Sequence, residues 1–165
     1  MLLDQLNVLR NVKIPKFITD EVWANDQQIL EFLNNKQSEF DDWFGTLISS
    51  KIQSTDSWLN YTFYKQGVGN EFGWHNEDGV GGSGEVMQGE YSSIIWIAGD
   101  TNCGGELSVI SQDGLKTIVF EPGTVIVMPK TTFHKVEHYT GSGPRISLNF
   151  TFKLDTQNLL KDSSM

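Results

Sequence analysis

The sequence predicts a mainly β fold with helices at its N-terminus: a β-sandwich or jelly roll carrying those helices on one sheet. Three observations lead there. Apolar residues recur at helical spacing between Pro15 and about residue 50; from Ser57 onward the pattern changes to period two and stays there; Gly and Pro pairs punctuate this second part. At 165 residues the chain suits one domain with a proper core. Residues 1–165 therefore read as a single domain, with a helical lead-in at about 15–50, a jelly-roll core at about 57–154 and a polar tail at 155–165.

In chain order, residues 1–16 read as an edge strand or extended arm ending at Ile14-Pro15. Thr19 has the chemistry of an N-cap, and Asp20 and Glu21 suit the positive end of a helix dipole. Val22, Ile29, Leu30 and Leu33 then continue at helical spacing to Asn34-Asn35. A second helix is expected over about 37–50, with Phe40, Trp43, Phe44, Leu47 and Ile48 on one face. Strands are expected at Trp58 to Tyr64, Phe72 to Glu77, Tyr91 to Ala98, Glu106 to Ser111, Leu115 to Glu121, Thr124 to Met128, Phe133 to His138 and Pro144 to Leu154. Asp113-Gly114 and Pro122-Gly123 are turn pairs between them. The glycine-rich run from Gly79 to Gly89 lacks the lysine and following helix of a phosphate-binding loop. It reads equally as a mobile lid or a plain connection.

Charge and composition narrow the function. A net charge of −9 argues against bulk nucleic-acid binding, which needs basic surface to neutralise phosphates. No apolar run approaches the roughly 20 residues that cross a membrane. Met1-Leu2-Leu3-Asp4-Gln5 lacks the basic and apolar regions of a signal peptide, and Cys103 is the single cysteine, so a reducing, cytoplasmic setting is expected. Arginine occurs only at Arg10 and Arg145.

The chemistry-bearing residues lie in the β part. His75 and Glu77 are two apart, so on a strand they share a face and can reach one metal ion, whereas Asp78 points to the opposite face. Alone, such a triplet is usually surface decoration. His134 supplies a distant histidine. On the last strand Ile146, Leu148, Phe150 and Phe152 share one face, and Arg145, Ser147, Asn149 and Thr151 the other. If the apolar face lies under the helices, the polar face looks into the sandwich, where a dianion held by Arg145 and Ser147 explains it. An edge strand with its polar face in water is the competing explanation. Two histidines and one carboxylate on one face of an iron are the facial triad of non-haem Fe(II) oxygenases.

In these pieces the chain resembles the 2-oxoglutarate and Fe(II)-dependent dioxygenases, in particular their small prolyl-4-hydroxylase-like branch. The resemblance runs from Asn60 to Phe152, with Pro15 to Leu33 as lead-in helix. It rests on the order and spacing of Tyr64 to Glu77, Ser93-Ile94-Ile95-Trp96-Ile97 followed by Gly104-Gly105-Glu106-Leu107, Pro122-Gly123 through His134-x-Val136, and Gly143 to Leu148. It implies a double-stranded β-helix (jelly roll) with helices packed on the major sheet. It also implies Fe(II) held by His75, Glu77 and His134, and 2-oxoglutarate bound by Arg145, Ser147 and Tyr64. Glu77 stands where the family most often has Asp, and Trp96 where relatives often have a tyrosine. His138 falls where relatives often have proline, which makes His134 the metal ligand of the two. The implied reaction consumes O2, with ascorbate as an optional support. It hydroxylates a prolyl or other amino-acid or peptide-type substrate, or a small molecule, and releases succinate and CO2. Two other readings remain: a cupin-type metalloenzyme, which predicts an HxH pair in the first motif, and a non-catalytic jelly-roll binding module.

Overall fold

The computed structural model describes residues 5–19, 35–48, 52–54, 59–64, 72–76 and 90–154, with side chains left undescribed at 52–54, 59–64, 72–73 and 153–154. In the lead-in, strand β1 (Asn7–Leu9) precedes a short helix α1 (Lys16–Thr19) and a longer helix α2 (Gln37–Ile48). α1 lies before the helix that the capping chemistry of Thr19 marks. The Pro15 carbonyl already accepts from the N–H groups of Ile18 (2.9 Å) and Thr19 (3.2 Å), so Thr19 lies inside the first turn. The expected continuation through Leu33 lies outside the described residues. α2 begins where the periodicity places it.

The β part comprises β2 (Ile52–Ser54), β3 (Leu59–Tyr64), β4 (Phe72–His75), β5 (Glu90–Ala98), β6 (Leu107–Ser111), β7 (Gly114–Ile118), β8 (Val125–Pro129), β9 (His134–Val136) and β10 (Arg145–Leu154). β2 was not singled out by the alternation. Among the described residues these strands form two antiparallel sheets. The larger has the order β1-β8-β5-β10-β2, with β3 also pairing β10; the smaller has the order β4-β9-β6-β7. β10 is thus an interior strand, bonded to β5 on one side and to β3 and β2 on the other. That excludes the edge-strand explanation of its polar face. Among the described residues the chain is mostly β, in two antiparallel sheets with few helices, consistent with a jelly roll.

Period-two alternation on β10 sends its side chains into two separate cores. Outward, Ile146, Leu148, Phe150 and Phe152 meet Phe40, Phe44 and Ile48 of α2, together with Ile95, Val125 and Val127. Residues 40, 44 and 48 recur every fourth position and so form one stripe. Phe44 stands edge-on to Phe150 (4.8 Å, 79°) and Phe152 (5.0 Å, 77°), and Phe40 edge-on to Phe150 (5.0 Å, 83°). Such pairs add about 0.5–1.5 kcal/mol each beyond the area they bury. Inward, Ile94, Trp96, Ile126 and Met128 of the larger sheet face Leu107, Val109, Ile118 and Val136 of the smaller, with Phe120 and Tyr139 beside them. β5 is buried on both faces, as an interior covered strand must be, and β7 is largely exposed, as an edge strand tolerates. Among the described residues no helix is long and apolar enough to cross a membrane.

Phe44→Ala should cost about 3–5 kcal/mol in urea unfolding, because it opens a cavity in the aromatic cluster between helix and sheet. Leu115→Ala, at a side chain 68% exposed on β7, should change stability by less than about 0.5 kcal/mol in the same assay.

Candidate active site

The smaller sheet brings two histidines together. His75 ends β4, His134 begins β9, and the antiparallel register makes them direct Cα partners. Their ring centroids are 4.3 Å apart with planes inclined at 59°. His134 is 2% exposed. Its Nδ1–H donates to the Thr132 carbonyl oxygen at 2.9 Å. A carbonyl has no proton to give, so this bond sets the proton of the neutral ring on Nδ1 and its lone pair on Nε2. Asn76 Nδ2 donates to the Thr131 carbonyl (3.4 Å), which ties the end of β4 to the turn before β9. Among the described residues no group of three His, Cys, Asp or Glu side chains forms. Glu77, expected as the third ligand, lies outside them, as does the Gly79 to Gly89 run. His138 is exposed, and its carbonyl accepts from the Gly105 N–H (3.0 Å).

The larger sheet contributes the second half. Arg145 and Ser147, two apart on β10, are buried at 1% and 2% exposure on the face turned toward the smaller sheet. The Arg145 guanidinium lies against Phe120 (4.8 Å to the ring centroid) and Trp96 (5.8 Å), and its Nη2 donates to the Gly105 carbonyl at 3.2 Å. Trp96 is the Cα partner of Ser147 on β5, and Tyr64 that of Arg145 on β3. The Tyr64 side chain lies outside the description. Gly105 stands four residues before Val109, the Cα partner of His134. At most about 14 Å of extended chain therefore separates Gly105 from the strand position that faces His134.

Local backbone makes room for the arginine. Gly105 has φ +77°, and a Cβ there would sit 2.9 Å from Arg145 Nε and 3.1 Å from its Cδ. Only glycine lets the chain turn this tightly against the side chain. The segment entering β10 is fixed from another direction. Asp100 Oδ2 accepts from Ser142 N–H (2.7 Å), Ser142 Oγ (3.0 Å) and Gly143 N–H (3.1 Å). The Tyr139 hydroxyl donates to the Gly143 carbonyl (2.8 Å) and accepts from Asp100 N–H (2.9 Å). The Gly143 N–H, then the Ser142 hydroxyl and N–H, hold the Asp100 carboxyl below its ordinary range. On the outer face of the smaller sheet, Lys135 and then Ser108 lower the Glu137 carboxyl in the same way.

The donor set suits a divalent transition metal. Two imidazoles face each other from adjacent strands, and one has its tautomer set by a backbone carbonyl, the usual support of a ligating histidine. Imidazole ligands fit iron as they fit zinc or copper. Sequence reasoning found these histidines, Arg145 and Ser147. It quoted Gly105 as part of a motif without seeing what it does, although a Gly-Gly pair is a visible sign of close backbone approach. It missed Asp100 and Tyr139, which no motif marks.

No family model matches the chain, and no curated protein does. Solved structures do. A prolyl-4-hydroxylase from Pseudomonas putida superposes with a TM-score of 0.54 at 11% identity, covering 92% of this chain and 93% of that one. EctD from S. alaskensis with bound Fe gives 0.60 at 15% identity, covering 92% and 73%. A prolyl hydroxylase from Trichoplax adhaerens, in complex with a peptide fragment of the hypoxia-inducible-factor oxygen degradation domain, gives 0.57 at 11%, covering 95% and 87%. At these identities the shared property is the fold alone.

Gly105→Ala should lower stability by about 1–3 kcal/mol in chemical denaturation, since a Cβ at positive φ is strained and presses on Arg145. Asp100 gives a pH signature. A carboxyl whose folded pKa is depressed stabilises fully above its unfolded value, near 4, and loses that contribution as pH falls through the folded value. The difference in melting temperature between wild type and Asp100→Ala should be constant above about pH 5 and shrink below about pH 4.

Proposed function

We propose that this chain is an Fe(II)- and 2-oxoglutarate-dependent dioxygenase that hydroxylates a prolyl or other amino-acid or peptide-type substrate. One observation carries the reading. A histidine pair on the smaller sheet and a buried Arg-x-Ser pair on the larger one line the same inter-sheet space, joined through Gly105. The shared fold with solved hydroxylases supports the same reading, as does the EctD structure solved with 2-oxoglutarate and 5-hydroxyectoine.

His75, His134 and Glu77 would hold the iron. Iron held there would activate O2, so that one oxygen atom would enter succinate as 2-oxoglutarate loses CO2 and the other would go to the substrate. The protein's own work is positional. The Thr132 carbonyl keeps the His134 proton on Nδ1 and aims Nε2. Arg145 offers a planar fork to the distal carboxylate of 2-oxoglutarate, Ser147 adds a hydroxyl on the same face, and Tyr64, at the register position opposite Arg145, is the third residue assigned to the cosubstrate. Phe120, Trp96 and the core around them keep water from the guanidinium, which strengthens its hold on an anion.

The single domain is taken to be a double-stranded β-helix, and the lone cysteine suits a cytoplasmic setting. The net charge of −9 disfavours polyanionic substrates. An amino-acid or peptide-type substrate is in keeping with what the neighbouring structures contain: 5-hydroxyectoine in one and a peptide fragment in the other. A cupin would carry two histidines in the first motif, where this chain has His75 and Glu77.

Under anaerobic conditions Fe(II) and 2-oxoglutarate should together give a weak visible charge-transfer band, with calorimetric binding of 2-oxoglutarate. Absence of both sinks the proposal. His134→Ala should abolish iron binding. Arg145→Ala should keep its iron and bind 2-oxoglutarate about 30-fold or more weakly, as removing one partner of a buried charged pair does. Iron loss in Arg145→Ala would mean that the arginine sits elsewhere in the site.

A further inference from the structure

We propose that the indole N–H of Trp96 is a donor to the distal carboxylate of the keto-acid cosubstrate, alongside Arg145 and Ser147; the inference rests on the function proposed above. Trp96 is wholly buried, yet its Nε1 has no hydrogen-bond partner among the described residues. Its main chain is fully engaged: the N–H donates to the Thr124 carbonyl (2.9 Å), and the carbonyl accepts from the Gly123 N–H (2.8 Å). The orphan is the side-chain donor alone. A buried donor without an acceptor bears the full cost of its desolvation, so an indole placed only to fill space would be inferior to a phenylalanine.

The position of Trp96 supplies the acceptor. On β5 it is the Cα partner of Ser147, its ring lies 5.8 Å from the Arg145 guanidinium carbon, and it packs on Phe120 at 5.0 Å. Guanidinium, hydroxyl and indole are therefore neighbours on one buried patch. A carboxylate accepts only, at about four lone-pair sites. The arginine fork takes two, the Ser147 hydroxyl a third, and the indole N–H suits the fourth. The donor is also of a distinct kind. An indole N–H cannot accept, so, unlike a hydroxyl, it never draws a hydrogen bond from Arg145 in place of the ligand. A patch of donors alone favours an ionised carboxylate over an amide, an alcohol or a methyl group in that position.

The test compares two keto acids on anaerobic iron-loaded protein by calorimetry: 2-oxoglutarate, and 2-oxovalerate, in which a methyl group replaces the distal carboxylate. Trp96→Phe should weaken 2-oxoglutarate about 10-fold or more, in keeping with one hydrogen bond to a charged group, and leave 2-oxovalerate unchanged. A second measurement needs no variant. In Zn(II)-loaded, 15N-labelled wild type the Trp96 indole resonance, assigned through its contacts to Phe120, should move downfield with 2-oxoglutarate and not with 2-oxovalerate. Wild type that binds 2-oxoglutarate while Trp96→Phe binds it equally, or weakens for both acids alike, overturns the indole assignment and leaves the function standing. An unmoved indole resonance on bound 2-oxoglutarate does the same. Wild type that binds neither acid overturns both.

Discussion

Strand β10 must satisfy two opposite solvation demands at once. Its odd-numbered start, Arg145 and Ser147, is buried between the sheets, and its even-numbered residues are buried under α2. A strand of this kind cannot slip by one residue, because a slip would put Ile146 beside the guanidinium's neighbours and Arg145 under the helix. The aromatic cluster of Phe40, Phe44, Phe150 and Phe152 therefore does more than stabilise. It locks the register that aims Arg145 inward, and the burial of Arg145 and Ser147 on one patch depends on that register.

The two halves of the site are built on different physical devices. The histidine pair depends on sheet register and a backbone carbonyl. The arginine patch depends on burial, aromatic walls and a glycine bend. Because separate sheets supply them, a change in one half leaves the other in place. The Asp100 carboxylate and the Tyr139 hydroxyl act on the second half only, fixing the segment through Gly143 that feeds directly into Arg145.

Much of this was legible in the residues because strand periodicity encodes facing. The alternation of Ile146, Leu148, Phe150 and Phe152 against Arg145, Ser147 and Asn149 gave the two faces of β10, and the helical stripe of Phe40, Phe44 and Ile48 gave their cover. His75 and His134 could be named, but their ring contact follows from a cross-strand pairing 59 residues apart, which no local pattern states. Trp96 was passed over for lacking a hydroxyl. Its burial and its orphaned donor are tertiary facts, visible only once β5 lies beside β10.

The acceptor that orients His134 is the main chain of Thr132, not a side chain. Where a carboxylate orients a histidine, one nucleotide change can delete it. Here the orienting group is present whatever residue occupies position 132, so long as the turn from Pro129 keeps its shape, as the 3.0 Å bond from Thr132 N–H to the Pro129 carbonyl requires. Lys130, Thr131 and Thr132 can therefore drift in identity without disturbing the ring they hold. The turn is expected to be hypervariable in sequence and invariant in length.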